Sequence, residues 1–319
     1  MKAILYTAYG APDVLQLRDV ATPEPGDNAV RIKVHAASVN AMEWRPFTFP
    51  RLFIRLIAGW NEPRDKRIGV DVAGRVDAVG RGVTRFRVGD EVFGLARGAF
   101  AEYACTQEHK LVPKPPALSF DAAAAIPLAG LTALQAVRDH GAVTSGKRVL
   151  INGAGGGVGT CAVQIAKSLG AEVTAVCSTT NQEMVRSIGA DHVIDYSRED
   201  FTTNGRRYDV IVGVNGRDSL AGYRRALAAD GICVIVGGAI PQFLKVALLG
   251  IPLSWLGRRR FRGMLTKPNI EDLQTLQAMA AAGTLVPVID RRYPLNEAAA
   301  AVTYLTHGHA RGKVVLTVG

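Results

Sequence analysis

Cysteine is scarce: four residues in 319 (Cys105, Cys161, Cys177, Cys233), with no Cys-x-x-Cys pair. That excludes a disulfide framework and a cysteine-built metal lobe, and leaves reduced core thiols of an intracellular kind. No apolar run is long enough to span a bilayer. The longest, 243–256, is interrupted by Lys245 and Pro252. The opening Met-Lys-Ala-Ile-Leu-Tyr is too short for a signal peptide, so a cytoplasmic protein is expected. Acidic residues are outnumbered, 28 against 38 basic, for a formal net charge of +10. Yet no aromatic stacking motif or helix-turn-helix pattern accompanies the charge, so nucleic acid is not an expected partner. What is present is ordinary for a globular protein with a good core: 48% hydrophobic, 21% charged, and 34 glycines. The length suits one large or two ordinary domains.

The chain is organised around 149–179. The apolar Val149-Leu150-Ile151 reads as a buried strand, and a glycine cluster, 153–159, follows it. A helical pattern then sets Ala162, Val163, Ala166 and Leu169 on one face and ends at Gly170. A second apolar run, Val173 to Cys177, closes one βαβ unit. In the dinucleotide register the motif is Ala154-x-Gly156-x-x-Gly159. The first small residue permits the tight turn. Gly156 lets main chain approach a pyrophosphate, and Gly159 lets helix pack on strand. The helix start, with Gly157 and Val158, offers unpaired N–H groups and the positive end of a dipole to phosphate. NAD enzymes usually place a carboxylate at the end of the second strand; here stand Ser178 and Thr179, able to donate hydrogen bonds to a 2′-phosphate. NADPH is therefore expected over NADH, although that turn has no Arg or Lys.

Residues 1–121 read as short strands punctuated by glycine, a compact barrel-like domain. Trp44 to Arg67 is amphipathic and basic, a pattern that suits a pocket lid, a partner helix or a membrane-surface element, and a helical cover over the cleft is the favoured expectation. The segment Gly141 to Arg148 nearly spells a P-loop. It fails because Arg148 replaces the required Ser or Thr and the motif precedes a strand. Beyond the central unit, strands at Val193-Ile194, 208–214 and 232–236 alternate with helices, which calls for a parallel sheet. Ligands bind at the carboxyl ends of such strands, so Asn215, Gly237 and Gly238 are expected beside the nicotinamide. Arg258-Arg259-Arg260 with Arg262 reads as a solvated charge cluster. Asn269 and Asn296 are candidate helix caps, and 313–318 reads as a strand returning to the first domain.

Five further segments, Gly69-Val-Asp71-Val-Ala73-Gly74, Phe86 to Val92, Ala99 to Tyr103, Pro127 to Ala133 and Ala310 to Val314, complete a pattern that runs end to end. The chain resembles the zinc-free, quinone oxidoreductase-like branch of the medium-chain dehydrogenase/reductase superfamily. That resemblance implies an α/β fold: a doubly wound Rossmann domain, 122–283, and a GroES-like β-barrel domain, 1–121 with 284–319. It implies a homodimer and NADPH-dependent reduction of quinones or of α,β-unsaturated carbonyls. Asn40-Ala41 and Gly69-Val70-Asp71 stand where zinc relatives carry a Cys and a Gly-His-Glu, so no metal is expected. The pair His307-x-His309 reads as surface. The resemblance places Asn40 beside the nicotinamide, as a hydrogen-bond donor to substrate or as a helix cap. It makes Glu43 a structural residue, puts Thr132 near the nicotinamide and Tyr196 near the 2′-phosphate. A zinc-free NADP-dependent alcohol or aldehyde dehydrogenase, and a cofactor-binding sensor or nucleic-acid binder without turnover, are the alternatives.

Overall fold

The computed structural model describes residues 1–41, 43, 62–214, 218–236, 258–308 and 310–319. They form two compact units: Met1–Leu128 with Pro268–Ala282 and Pro287–Gly319, and Ala129–Lys267 with Gly283–Val286.

The first unit is built on the strand Ala29–Val39. Its alternation buries Val30, Ile32 and Val34 and exposes Lys33. At 11 residues it is long enough to serve three partners. Asp71–Val79 pairs along it, Tyr103–Gln107 pairs with its first half, and Lys313–Thr317 pairs with its last residues, all antiparallel. Register shifts between Arg31 and Ile32 and between Val34 and Ala36 bend it, so the sheet curls around one core. The sheet runs Ile289–Pro294, Lys313–Thr317, Ala29–Val39, Asp71–Val79, Glu91–Leu95, Leu111–Pro113. Val72, Phe100, Leu111, Val314 and Leu316 fill its inside.

Asn269 caps the helix Ile270–Ala281 as expected, its side chain accepting from the Asp272 N–H at 2.7 Å. The span 122–283 expected for the nucleotide domain includes that helix, but it groups with the first unit. It packs on Leu111–Pro113, and Gln277 donates to the Pro113 carbonyl at 2.9 Å. Asn296 caps nothing: the helix is Ala298–Thr306, preceded by a short turn at Leu295–Glu297.

The second unit is a parallel sheet in the order His192–Asp195, Glu172–Cys177, Arg148–Asn152, Tyr208–Val214, Leu227–Val236, Arg260–Met264. Two strands lead one way from the first and three the other, so the order reverses at Arg148–Asn152. That is the doubly wound arrangement, with its ligand crevice at the reversal. Val149, Leu150 and Ile151 are fully buried, as a strand covered on both faces must be. The helix Gly157–Ser168 covers one face with Ala162, Val163 and Ala166 inward. The arginine cluster is more than a solvated face: Arg260–Met264 is the edge strand, with Phe261 buried.

The closing strand lies inside the first sheet, with Leu316 fully buried, whereas Val88 is 64% exposed. Leu316→Ala is expected to cost about 2–5 kcal/mol and Val88→Ala less than about 0.5 kcal/mol in urea unfolding. Equal effects would show that the strand is not part of the core.

Candidate functional site

In the second unit, the strand Arg148–Asn152 runs into a turn made by Gly153, not Ala154. Gly153 has φ +90°, and a Cβ there would lie 2.2 Å from the Val214 carbonyl oxygen. Gly153 and Ala154 both donate their N–H to the Val176 carbonyl, at 3.1 and 3.0 Å, which fixes the turn against the neighbouring strand. Gly156 is the residue before the helix Gly157–Ser168, and no side chain caps that helix. A Cβ on Gly159 would lie 2.1 Å from the Gly153 carbonyl oxygen, so only glycine lets the helix start so close to the turn. Among the described residues, a Cβ on Gly156 would meet only the Gly153 carbonyl oxygen, at 3.8 Å. Among the described residues no side chain caps the first-turn N–H groups of Gly157, Val158 and Gly159, and no side chain stands at Gly156 to keep a ligand from them. This donor set fits a pyrophosphate.

Asn152, which the sequence reading passed over, ends the strand beneath this turn. Its amide donates to Asp218 at 2.6 Å and to the buried Tyr223 hydroxyl at 2.9 Å. Thr132 sits in the helix Pro127–Leu134, its hydroxyl 2.7 Å from that of Thr266.

The end of the second strand corrects one reading. A carboxylate does stand there: Asp195 pairs with Cys177 across adjacent strands. It accepts from the hydroxyls of Thr179 and Ser197, from the Ser197 N–H at 2.9 Å and from Gln182 at 3.2 Å. The bond from Thr179 first, then those from Ser197, hold its pKa down at about 2. The Thr179 hydroxyl is therefore already a donor to Asp195, and the Ser178 and Thr180 hydroxyls, 3.1 Å apart, bond each other beside it. A cation is present as well. Arg198 lies 3.8 Å from Asp195 with its side chain 76% exposed, two residues beyond the exposed Tyr196. Strand pairing brings Asp195 and Arg198 here; no local motif announces them.

The first unit holds a buried polar cluster. Asp71, fully buried, accepts from the Ser38 hydroxyl at 2.6 Å, the Asn40 amide at 2.9 Å and the Leu128 N–H at 2.9 Å. Lys313, from the closing strand, donates to the Asn40 amide oxygen and pairs with Asp71 at 3.4 Å. The Asn40 side chain bonds Asp71 and Lys313, and the Glu43 N–H donates to the Asn40 carbonyl, not to its side chain. Glu43 reaches back instead, accepting from the Asn40 N–H at 2.7 Å. Both hydrogens of the Asn40 amide have acceptors, Asp71 and, at 3.3 Å, the Ser38 carbonyl. Burial first, and the charge of Asp71 second, push Glu43 up to about 8 against the opposing pull of Lys313. Its second carboxyl oxygen has no partner among the described residues.

A zinc ion does not fit this cluster. An ammonium already lies against Asn40 and Asp71, and the carboxylate is filled by donors. Asn215, Gly237, Gly238, His309 and most of the stretch 44–67 lie outside the described residues.

Glu43 generates a pH prediction. Its pKa is raised in the folded protein, from 4.5 to about 8, so the folded state holds a proton that the unfolded state releases. Its contribution to stability is complete below about pH 4.5 and is lost as pH rises towards 8. Glu43→Gln should flatten the fall in unfolding free energy across that window; an unchanged slope would contradict the assignment.

Residues 26–116 match the family model described as alcohol dehydrogenase GroES-like domain, and residues 188–316 match that of zinc-binding dehydrogenase. The chain is 33% identical to a chloroplast envelope quinone oxidoreductase homolog of Arabidopsis thaliana, over 99% of this chain and 98% of that protein. Among solved structures it superposes on the quinone oxidoreductase of Coxiella burnetii with TM-score 0.87 and 33% identity, covering 100% of this chain and 99% of the other. It also superposes on a mycobacterial protein complexed with NADPH, with TM-score 0.83 and 26% identity, covering 99% and 100%. The first unit is accordingly a GroES-like domain, and the chain belongs to the medium-chain dehydrogenase/reductase superfamily as a quinone oxidoreductase-like oxidoreductase.

Proposed function

We propose that this chain is an NADPH-dependent reductase of quinones or other α,β-unsaturated carbonyls, working without a metal. The observation that carries the reading is the uncapped helix start at Gly157, pressed onto a glycine-rich turn. NADPH, when bound, supplies a hydride. The chain's part is to hold the diphosphate on the N–H groups of 157–159 and the 2′-phosphate on Ser178 and Arg198, with Tyr196 against the adenosine end. The neighbour complexed with NADPH supports this cofactor. Gly237, Gly238, Asn215 and Thr132 are proposed to border the nicotinamide.

Reduction of a conjugated carbonyl builds negative charge on the acceptor oxygen, and a positioned donor stabilises it. Asn40 is proposed to supply that donor. Its 3.3 Å bond to the Ser38 carbonyl is the weaker of its two and is the one exchanged for substrate, while Asp71 and Lys313 keep the amide oriented. Asn40→Ala should lower kcat by about 10²-fold while leaving NADPH affinity within twofold. Loss of NADPH binding with unchanged kcat would place Asn40 elsewhere in the chemistry.

Cofactor choice is tested at the ribose end. Arg198→Ala should weaken NADPH binding by about tenfold and leave NADH binding unchanged, because only one of the two carries the extra phosphate. Equal effects on both would remove Arg198 from phosphate recognition. A homodimer, a cytoplasmic location and the lack of a nucleic-acid partner are part of the same proposal. Turnover with NADPH and a quinone panel tests the activity, and oxidation of simple alcohols in preference to quinone reduction would favour the dehydrogenase reading.

A further inference from the structure

The fold buries the Glu43 carboxyl group without supplying donors for an ionised form. It lies just beyond the strand Ala29–Val39 and is 3% exposed. One oxygen accepts from the Asn40 N–H at 2.7 Å, and the Glu43 N–H donates to the Asn40 carbonyl at 3.1 Å, which closes the turn. The other oxygen, Oε1, has no partner among the described residues. The charged groups that face it there are Asp71, from Asp71–Val79, and Lys313, from Lys313–Thr317. Asp71 repels an ionised Glu43. Lys313 is already committed: its three hydrogens have three acceptors, the Asn40 amide oxygen, the Val39 carbonyl at 3.3 Å and Asp71 at 3.4 Å. A buried carboxylate with a bare oxygen is costly, whereas the protonated acid has no charge to be met. The neutral form is therefore the one the surroundings fit, in accord with the raised pKa of the group.

The same contacts fix Asn40. An ammonium only donates and an ionised carboxylate only accepts, so the amide oxygen must face Lys313 and the amide nitrogen Asp71. The main chain of Asn40 is held separately, by Glu43. With Glu43 neutral, the charges of Asp71 and Lys313 cancel. With Glu43 ionised, the cluster gains a net negative charge beside the residue proposed to bind a developing oxyanion, and the new carboxylate competes with the Asn40 oxygen for Lys313. Away from water a single charge of the wrong sign acts strongly on such a centre.

We propose that Glu43 is a positioning residue for the reduction: as the neutral acid it holds the Asn40 main chain and keeps net negative charge away from the oxygen that Asn40 binds. The inference rests on the reductase reading with Asn40 as donor. Glu43 makes no contact with substrate in this scheme and transfers no proton; its effect passes through Asn40.

Two measurements on the full chain test it, one of them without turnover. In amide NMR spectra of the cofactor-free protein, the Asn40 side-chain resonances should titrate with a midpoint near pH 8 in the wild type. They should stay fixed in Glu43→Gln, which keeps an acceptor for the Asn40 N–H and has no charge to change. With saturating NADPH and 1,4-naphthoquinone, wild-type kcat should fall by about tenfold or more as pH rises from about 6 to about 9.5, with KM for NADPH within about twofold. Glu43→Gln should give a flat kcat profile over the same range. Asn40 resonances that ignore pH in the wild type, or that titrate equally in Glu43→Gln, overturn the proposal. So does a flat wild-type kcat, or a Glu43→Gln kcat that falls as the wild type does. A titrating Asn40 amide in a wild type with no turnover at any pH overturns the reductase reading instead, and supports the coupling of Glu43 to Asn40.

Discussion

A helix that begins without a capping side chain has its first N–H groups unsatisfied, and a fold tolerates that only where something else meets them. Here the helix Gly157–Ser168 begins in this way at the point where the strand order reverses. It is held there by contact: the Gly153 carbonyl lies where any side chain on Gly159 would be, and the Val214 carbonyl lies where one on Gly153 would be. The glycines are therefore consequences of how tightly strand, turn and helix are stacked. The bare main chain that results is what a diphosphate needs.

The ribose end obeys a different constraint. A carboxylate near a 2′-phosphate is unfavourable, and Asp195 is placed close to one in the proposed reading. Its charge is taken up by hydroxyl, amide and backbone donors, and Arg198 adds a positive charge at the surface. In the GroES-like unit the same principle governs Asp71. There, Ser38, Asn40, Leu128 and Lys313 surround a fully buried carboxylate, and the closing strand supplies the cation. Asn40 is thereby oriented by groups distant in sequence.

Much of this was legible in the chain itself because it is local. A strand, a glycine turn, a helix and a second strand within 149–177 carry their own periodicity and punctuation. The uncapped helix start on a glycine turn follows from them, whereas the reversal of strand order needs Tyr208–Val214 to pair on the far side of Arg148–Asn152. The pattern did not say which small residue makes the turn. Ala154 occupies the motif position, but the positive φ falls on Gly153, one residue earlier. What local pattern cannot carry is pairing between distant segments. Asp195 meets Thr179 only because two strands lie side by side, and Lys313 meets Asn40 across 273 residues. The helix Ile270–Ala281 reads identically whichever unit it joins, and its packing on Leu111–Pro113 settles the matter. Arg260–Met264 was hidden because its charges masked the strand that buries Phe261.

The central claim is that a nucleotide's diphosphate rests on main chain at Gly156. Among the described residues an added Cβ there would meet only the Gly153 carbonyl oxygen, at 3.8 Å, an ordinary contact distance. Fluorescence titration of NADPH into the wild type and Gly156→Val is therefore the most direct measurement. The account predicts saturable binding in the wild type and a loss of at least a hundredfold in affinity in the variant, with an unchanged melting temperature. Equal affinity in both proteins would contradict it.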